Sequence, residues 1–421
     1  HIPPTASMEV VSIDSDHASQ HKRRKLASPN PGTLSVLVVK VIDSVGATIP
    51  ATNAQLYNDI FDDEYSLATG YESCSKEQLI MEPAADRNDG ESGVVDGITS
   101  VVLDIEATNN NDGDLRDAAI DKAVEEYGDI SRQYDLVMMC LPRTSSFVAY
   151  AYVNSWLSVY NDYWCQRVSA QMHEVGHNLG FGHSNEDGQS YKDQSGMMGY
   201  SYNQDDGPKM CFNAPKNFQT GWYTNAQESF YPLENKNSMV ERTLIGITDY
   251  QVSGNNNGNL VTLRLGDDEN DASNSNGDDY YVGFNLKDGI NEGTLEGADQ
   301  VLVFRKQAGG PTQYGESDRI AELNAGDSYT IQGFKGTSFD VTIRVKPFGN
   351  NDRTAPIEIT TGVTRAPTRA PTPPPTSTPD PAFKNLGKGF CRDSRGNYND
   401  NWEANFYCVD LSTCQAECKN Q

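Results

Sequence analysis

Apolar and polar positions follow two different rhythms along this chain, and the change falls near residue 235. In the first part, Leu34–Ile42 is a nearly unbroken β-branched apolar run between Pro-Gly and Asp-Ser, which predicts a buried strand. Thr52–Phe61 predicts a helix, with Thr52 or Asn53 at its cap. Ile98–Ile105 repeats the strand pattern. From Asp114 to Tyr127, the residues Leu115, Ala119, Ile120, Ala123, Val124 and Tyr127 share one face at helical spacing. Leu136–Leu141 is a short apolar strand stopped by Pro142, and Phe147–Val153 alternates as another. Helices and strands in alternation predict an α/β sheet.

Beyond Leu233 the helical period fades. Leu260–Leu265, Tyr280–Phe284, Gln300–Phe304, Ser328–Ile331 and Asp340–Val345 are short strand-like runs separated by Gly, Asn and Asp. That spacing predicts an antiparallel β domain of sandwich type. Asp267–Asp279 reads as a loop whose acids offer a Ca²⁺ site, although such runs are commonly just solvated. Thr364–Pro381 repeats Thr-Arg-Ala-Pro and ends in a proline run, a semi-rigid spacer. The expected division is a disordered tail or propeptide remnant at 1–32, an α/β domain at 33–235 and a β domain at 236–361. A Pro/Thr-rich linker at 362–382 and a Cys-rich module at 383–421 follow. The basic run His21–Lys25 in the tail fits a processing site.

Charge narrows the function. Asp and Glu number 59 against 33 Lys and Arg, a net charge of −26, which excludes a nucleic-acid binder needing a basic face. No apolar run approaches the ~20 residues of a membrane helix. Eight cysteines, four of them crowded after residue 390, fit disulfides and an oxidising compartment. Cys74, Cys140, Cys165 and Cys211 allow three pairings. A Cys165–Cys211 bridge, leaving Cys74 to Cys140, would tie the segment before residue 173 to the one after residue 200.

The chemistry is concentrated in residues 173–183, His-Glu-Val-Gly-His-Asn-Leu-Gly-Phe-Gly-His. On a helix, His173 and His177 stand one turn apart on one face and can share a metal. Gly180 can end that helix in a left-handed conformation. The chain then turns back to bring His183 in as third ligand. Three imidazoles with an open fourth position describe a catalytic zinc site, and Glu174 is placed to serve as general base to a water there. This five-residue pattern arises by chance in roughly one chain of this length in 10⁵. The other histidines, His1, His17 and His21, all lie in the tail.

Residues 193–200, Asp-Gln-Ser-Gly-Met-Met-Gly-Tyr, supply a methionine turn of the kind that lies beneath a three-histidine zinc site in metzincins. Met198 is the assigned methionine and Met197 the alternative. Together with Met210–Pro215 and Gly221-Trp222, these motifs resemble the gametolysin-like metallopeptidases, over about residues 34–235. The resemblance implies a metzincin fold, a twisted mixed sheet with an active-site helix. It also implies a secreted zinc endopeptidase acting on cell-wall or matrix glycoproteins. His173 stands where the algal namesake pattern can carry Gln. By the same resemblance Tyr200, two residues past Met198, is a candidate donor to the oxyanion, and Phe147–Val153 is the sheet edge that pairs with substrate. Cys391–Cys418 looks like the start of an apple/PAN-type adhesive module able to contact glycans or matrix. The competing reading is an adhesion protein on an inactive metzincin scaffold; it would be favoured by loss of Glu174 or a ligand, and none is lost.

Overall fold

The computed structural model describes residues 7–11, 31–85, 93–144, 147–200, 202–267, 278–306 and 311–363. The chain divides after Thr364, so the expected linker and Cys-rich module lie outside the described residues. In chain order the first half comprises β1 (Ser7–Val11), β2 (Gly32–Ile42), α1 (Asn53–Tyr57), α2 (Leu67–Ser75), β3 (Leu79–Pro83), β4 (Ile98–Val102) and α3 (Asp112–Tyr127). It continues with α4 (Ile130–Gln133), β5 (Leu136–Leu141), β6 (Phe147–Tyr152), β7 (Leu157–Asn161) and α5 (Val168–Asn178).

The first sheet runs β1-β6-β7-β5-β2-β3, and β4 also pairs with β2. Strands β2, β3, β4, β5 and β7 are parallel, while β6 runs antiparallel to β7. The continuous apolar character of β2 and β5 follows from burial on both faces. Val36, Val38, Met138 and Cys140 join a core with Leu67, Tyr71, Val168, Met172 and Val175 of α2 and α5. The alternate residues Leu37, Val39, Val137 and Met139 pack against Leu115, Ala119, Ile120 and Ala123 of α3. Thr52 caps α1 in a reciprocal capping box with Gln55, and Asn111 caps α3.

The second half contains β8 (Ser184–Glu186), α6 (Ala214–Thr220), β9 (Gln227–Phe230), β10 (Met239–Ile245), β11 (Thr262–Leu265), β12 (Asp279–Phe284) and β13 (Val301–Lys306). It ends with β14 (Ser317–Leu323), β15 (Ser328–Ile331), β16 (Phe339–Val345) and β17 (Thr354–Val363). One sheet runs β8-β14-β13-β12-β11-β9 and the other β10-β17-β16-β15. They share a core in which Leu263, Val282, Val301 and Val303 meet Val341, Ile343, Ile357 and Ile359.

Three features differ from the sequence expectation. First, the division at 235 is crossed by a shared sheet. Strands β8 and β9, from the α/β half, flank the six-stranded sheet through parallel pairings with β14 and β11. Contacts therefore bind the chain up to Thr364 into one unit. Second, part of the supposed tail is structured. Ser7–Val11 pairs in parallel with β6, from Ser7 opposite Phe147 to Val11 opposite Tyr152. Third, the disulfides among the described residues are Cys74–Cys211 and Cys140–Cys165, with Cα separations of 5.5 and 5.6 Å. Register decides this pairing: Cys140 on β5 faces Tyr160 on β7, and Cys165 follows just beyond the end of β7. Cys74 at the end of α2 is left to meet Cys211.

The described ends of the acidic loop are held by cations. Lys335 Nζ lies 3.1 Å from Asp267 and 2.8 Å from Asp279, and Arg264 lies 2.6 Å from Asp279. Residues 268–277 lie outside the described residues.

Peptide mapping without reductant is expected to yield 74–211 and 140–165 linked peptides; a 165–211 peptide would reject this pairing. The larger loop, with a sequence separation of 137, is the more stabilising. Its removal in a Cys74→Ser/Cys211→Ser double variant should cost on the order of 2–5 kcal/mol in chemical denaturation. A fragment ending at residue 235 should lack a cooperative melting transition, since it loses the strands that β8 and β9 pair with.

Candidate metal centre

Residues 168–178 form a helix because Val168, Ala170, Met172 and Val175 can be buried against the sheet and α2. The helix ends where Gly180 takes a φ of +92°. There the Gly180 N–H donates to the His177 carbonyl at 2.9 Å, and Phe181 N–H donates to that of Gly176 at 2.8 Å. A Cβ at Gly180 would also sit 2.5 Å from Asn154 Oδ1, so both conformation and space call for glycine. This turn reverses the chain and returns His183 toward the helix.

The three imidazoles converge. Ring centroids are 4.8 Å apart for His173–His177, 5.5 Å for His173–His183 and 4.8 Å for His177–His183. One nitrogen from each lies within 4.8 Å of the others, a spacing at which a single ion can be shared. All three side chains are buried.

Their hydrogen bonds define which nitrogen is presented. His173 Nδ1 lies 3.0 Å from the Met197 carbonyl and His177 Nδ1 lies 2.8 Å from that of Phe181. A carbonyl only accepts, so each Nδ1 carries the proton and each Nε2 keeps its lone pair. Nε2 of His173 and of His183 are buried without a hydrogen-bond partner among the described residues. Burial and the neighbouring imidazoles hold the His173 pKa well below its ordinary value and that of His177 at about 3. Desolvation likewise lowers His183. The site therefore gathers three neutral imidazoles whose ring nitrogens can donate lone pairs, a set that fits a divalent zinc-like ion.

Glu174 lies on the same helix, fully buried, and neither carboxylate oxygen has a hydrogen-bond partner among the described residues. Desolvation pushes its pKa well above the usual carboxylate range.

The turn after residue 193 lies under this cluster. A Cβ at Gly176 would meet the Met198 sulfur at 2.4 Å, so the Met198 thioether packs directly on the helix between the two ligand positions. Met197 contributes its carbonyl to His173 instead. Tyr200 behaves differently from expectation. It is 43% exposed, its ring partner is Tyr202 at 6.4 Å, and no ring contact joins it to the histidines among the described residues. Tyr191 takes that place, 4.1 Å from His183 and 5.9 Å from His173 between ring centroids.

Further residues hold the site from outside the motif. Lys216 Nζ, fully buried, donates to the His183 carbonyl at 2.9 Å and also contacts Ser317 Oγ. Desolvation lowers its pKa to about 7. Asp193 accepts from Ser195 N–H at 3.0 Å and from Asn213 Nδ2 at 2.9 Å, and lies 3.3 Å from Arg319. Glu316 stands 3.7 Å from His183 Nδ1, and that contact, with a hydrogen bond from Asn185, holds its carboxyl at about 2. Tyr191, Lys216 and Glu316 carry no local sequence signal, because their partners lie up to 133 residues away in the chain and meet only through tertiary packing.

Residues 34–335, more than two thirds of the chain, match the family model described as Gametolysin peptidase M11. No curated protein matches the chain. The matched span contains the whole histidine cluster, the Met198 turn and the strands that brace them. With that geometry and that match together, the chain belongs to the gametolysin M11 family of metallopeptidases.

Proposed function

We propose that the chain is a secreted, zinc-dependent endopeptidase of metzincin type that cleaves extracellular or cell-wall proteins. The observation that carries this reading is the convergence of one nitrogen from each of three buried imidazoles within 4.8 Å, on and just after a helix whose Glu174 carboxyl is buried with no hydrogen-bond partner among the described residues. Zinc, held by His173, His177 and His183, would polarise the scissile carbonyl and acidify water at the site. Glu174 would accept the proton of the attacking water and return it to the leaving amine nitrogen. Its burial excludes bulk water that would otherwise compete for the proton. Tyr191, lying against two of the three imidazoles, is better placed than Tyr200 to reach the developing oxyanion. The two disulfides support an oxidising compartment.

Substrate binding would use the β6 edge, which abuts the active-site helix: Asn178 Nδ2 donates to the Tyr152 carbonyl at 3.1 Å. An extended peptide paired there gains main-chain hydrogen bonds and little side-chain selectivity. Ser7–Val11 occupies that edge in the full chain. The N-terminal segment therefore reads as a pro-segment, released by cleavage at the basic run 21–25. The Cys-rich module at 383–421 fits a contact to wall or matrix glycans.

Purified protein is expected to hold stoichiometric zinc and to digest casein in a chelator-sensitive way; a folded protein without transition metal after zinc is supplied would sink the proposal. Free zinc at a thousand times its Kd should add about 4 kcal/mol of stability, read as a higher Tm than the chelated protein. Glu174→Gln should retain zinc and lose at least ~10²-fold in kcat, and near-normal turnover would remove Glu174 from the mechanism. Limited proteolysis after residue 25 should raise kcat/KM on peptides, whereas unchanged activity would show that Ser7–Val11 does not block the cleft.

A further inference from the structure

We infer that Glu316, contributed by the β half of the molecule, is a positioning residue that orients His183 as the third metal ligand. This rests on the reading of the histidine cluster as a metal site. It concerns how the third ligand is fixed, which the helix cannot do.

The three imidazoles are held unequally. His173 and His177 each give Nδ1–H to a backbone carbonyl close to the motif, Met197 and Phe181. His183 lies beyond the helix, and its Nδ1 faces the Glu316 carboxylate, with Oε1 at 3.7 Å. The other oxygen of that carboxylate is anchored, accepting from Asn185 Nδ2 at 2.8 Å. The backbone of His183 is already fixed, since its carbonyl accepts from Ser317 N–H at 3.1 Å and from Lys216 Nζ at 2.9 Å. The remaining freedom is rotation of the ring. Tyr191 packs on its face, which limits tilt. The charge on Glu316, facing Nδ1, favours the proton on that nitrogen. A carboxylate beside Nδ1 favours the Nδ1–H tautomer, leaves the Nε2 lone pair toward the metal and makes the imidazole a stronger donor.

The fold is arranged to bring Glu316 there. β8, which starts one residue after His183, pairs in parallel with β14, which starts one residue after Glu316, with Ser184 opposite Ser317. The ligand and its partner therefore stand side by side at the same ladder position. The approach is close: a Cβ on Gly182 would lie 2.6 Å from the backbone of Gly315. Glycine at 182 lets the two segments come together, and any larger residue would push Glu316 away from the imidazole.

The test uses the full chain with Glu316→Gln and Glu316→Ala, measured by zinc affinity in competition with a chromophoric chelator and by the Tm of the metal-free protein. Gln keeps the shape and an acceptor but removes the charge. Zinc affinity should fall about 10-fold in Gln and up to about 100-fold in Ala, the range expected for a lost carboxylate partner of a ligating histidine. The metal-free Tm of the Gln variant should match the parent. Unchanged zinc affinity in Gln, within about twofold, would overturn the inference. So would a loss of affinity matched by an equal loss of metal-free stability, which is the signature of a merely structural role. If the Ala variant does not fold, the Gln variant decides alone. A parent protein that binds no zinc would instead overturn the metal-site reading itself, a result distinguishable from failure of the variants.

Discussion

A helix can bring only two of the three imidazoles to one point. His173 and His177 meet because 3.6 residues per turn puts them on one face, whereas the third ligand must come from chain that has left the helix. Such chain has no regular hydrogen bonding of its own, yet here it is buried, and its backbone groups need partners. The structure satisfies them by making Ser184–Glu186 the outer strand of a sheet built largely from residues 262–323. The metal centre and the β half are therefore two consequences of one constraint.

The same constraint explains the dense polar seam between the halves. Arg319 reaches Glu186 at 3.0 Å, Asp193 at 3.3 Å and Glu296 at 2.7 Å. Asn213 bridges Ser184, Asp193 and Ser317. Burying so many polar groups is costly unless each finds a partner, and removing one partner strands the others. The seam thereby fixes the position of the Met198 turn and of His183 relative to the helix. A ligand set held this way is preorganised, as hydrolysis at a metal requires.

An exposed sheet edge is a standing invitation to pair. Ser7–Val11 pairs with β6, so this edge is covered by a strand of the same chain.

What the sequence alone settled was local. The helix read over 114–127, which the structure begins at Asp112, the strand over 136–141 and the two-plus-one histidine geometry follow from periodicity and a glycine turn, all within a few residues. Runs such as Leu34–Ile42 were legible because strands buried on both faces are apolar throughout. Tertiary structure decided what depends on distant partners. Helix Leu67–Ser75, with its glycine, serines and threonine, is stabilised by burial of Leu67, Tyr71 and Cys74 and by a Ser66–Thr69 capping box rather than by propensity. The disulfide pairing was set by the β5–β7 register, the tyrosine beside the metal centre by the path of the 187–193 loop, and the partner of His183 by strand pairing across more than a hundred residues. Sequence spacing encodes contacts within a turn of helix, but contacts between segments this far apart are fixed only when the sheets assemble.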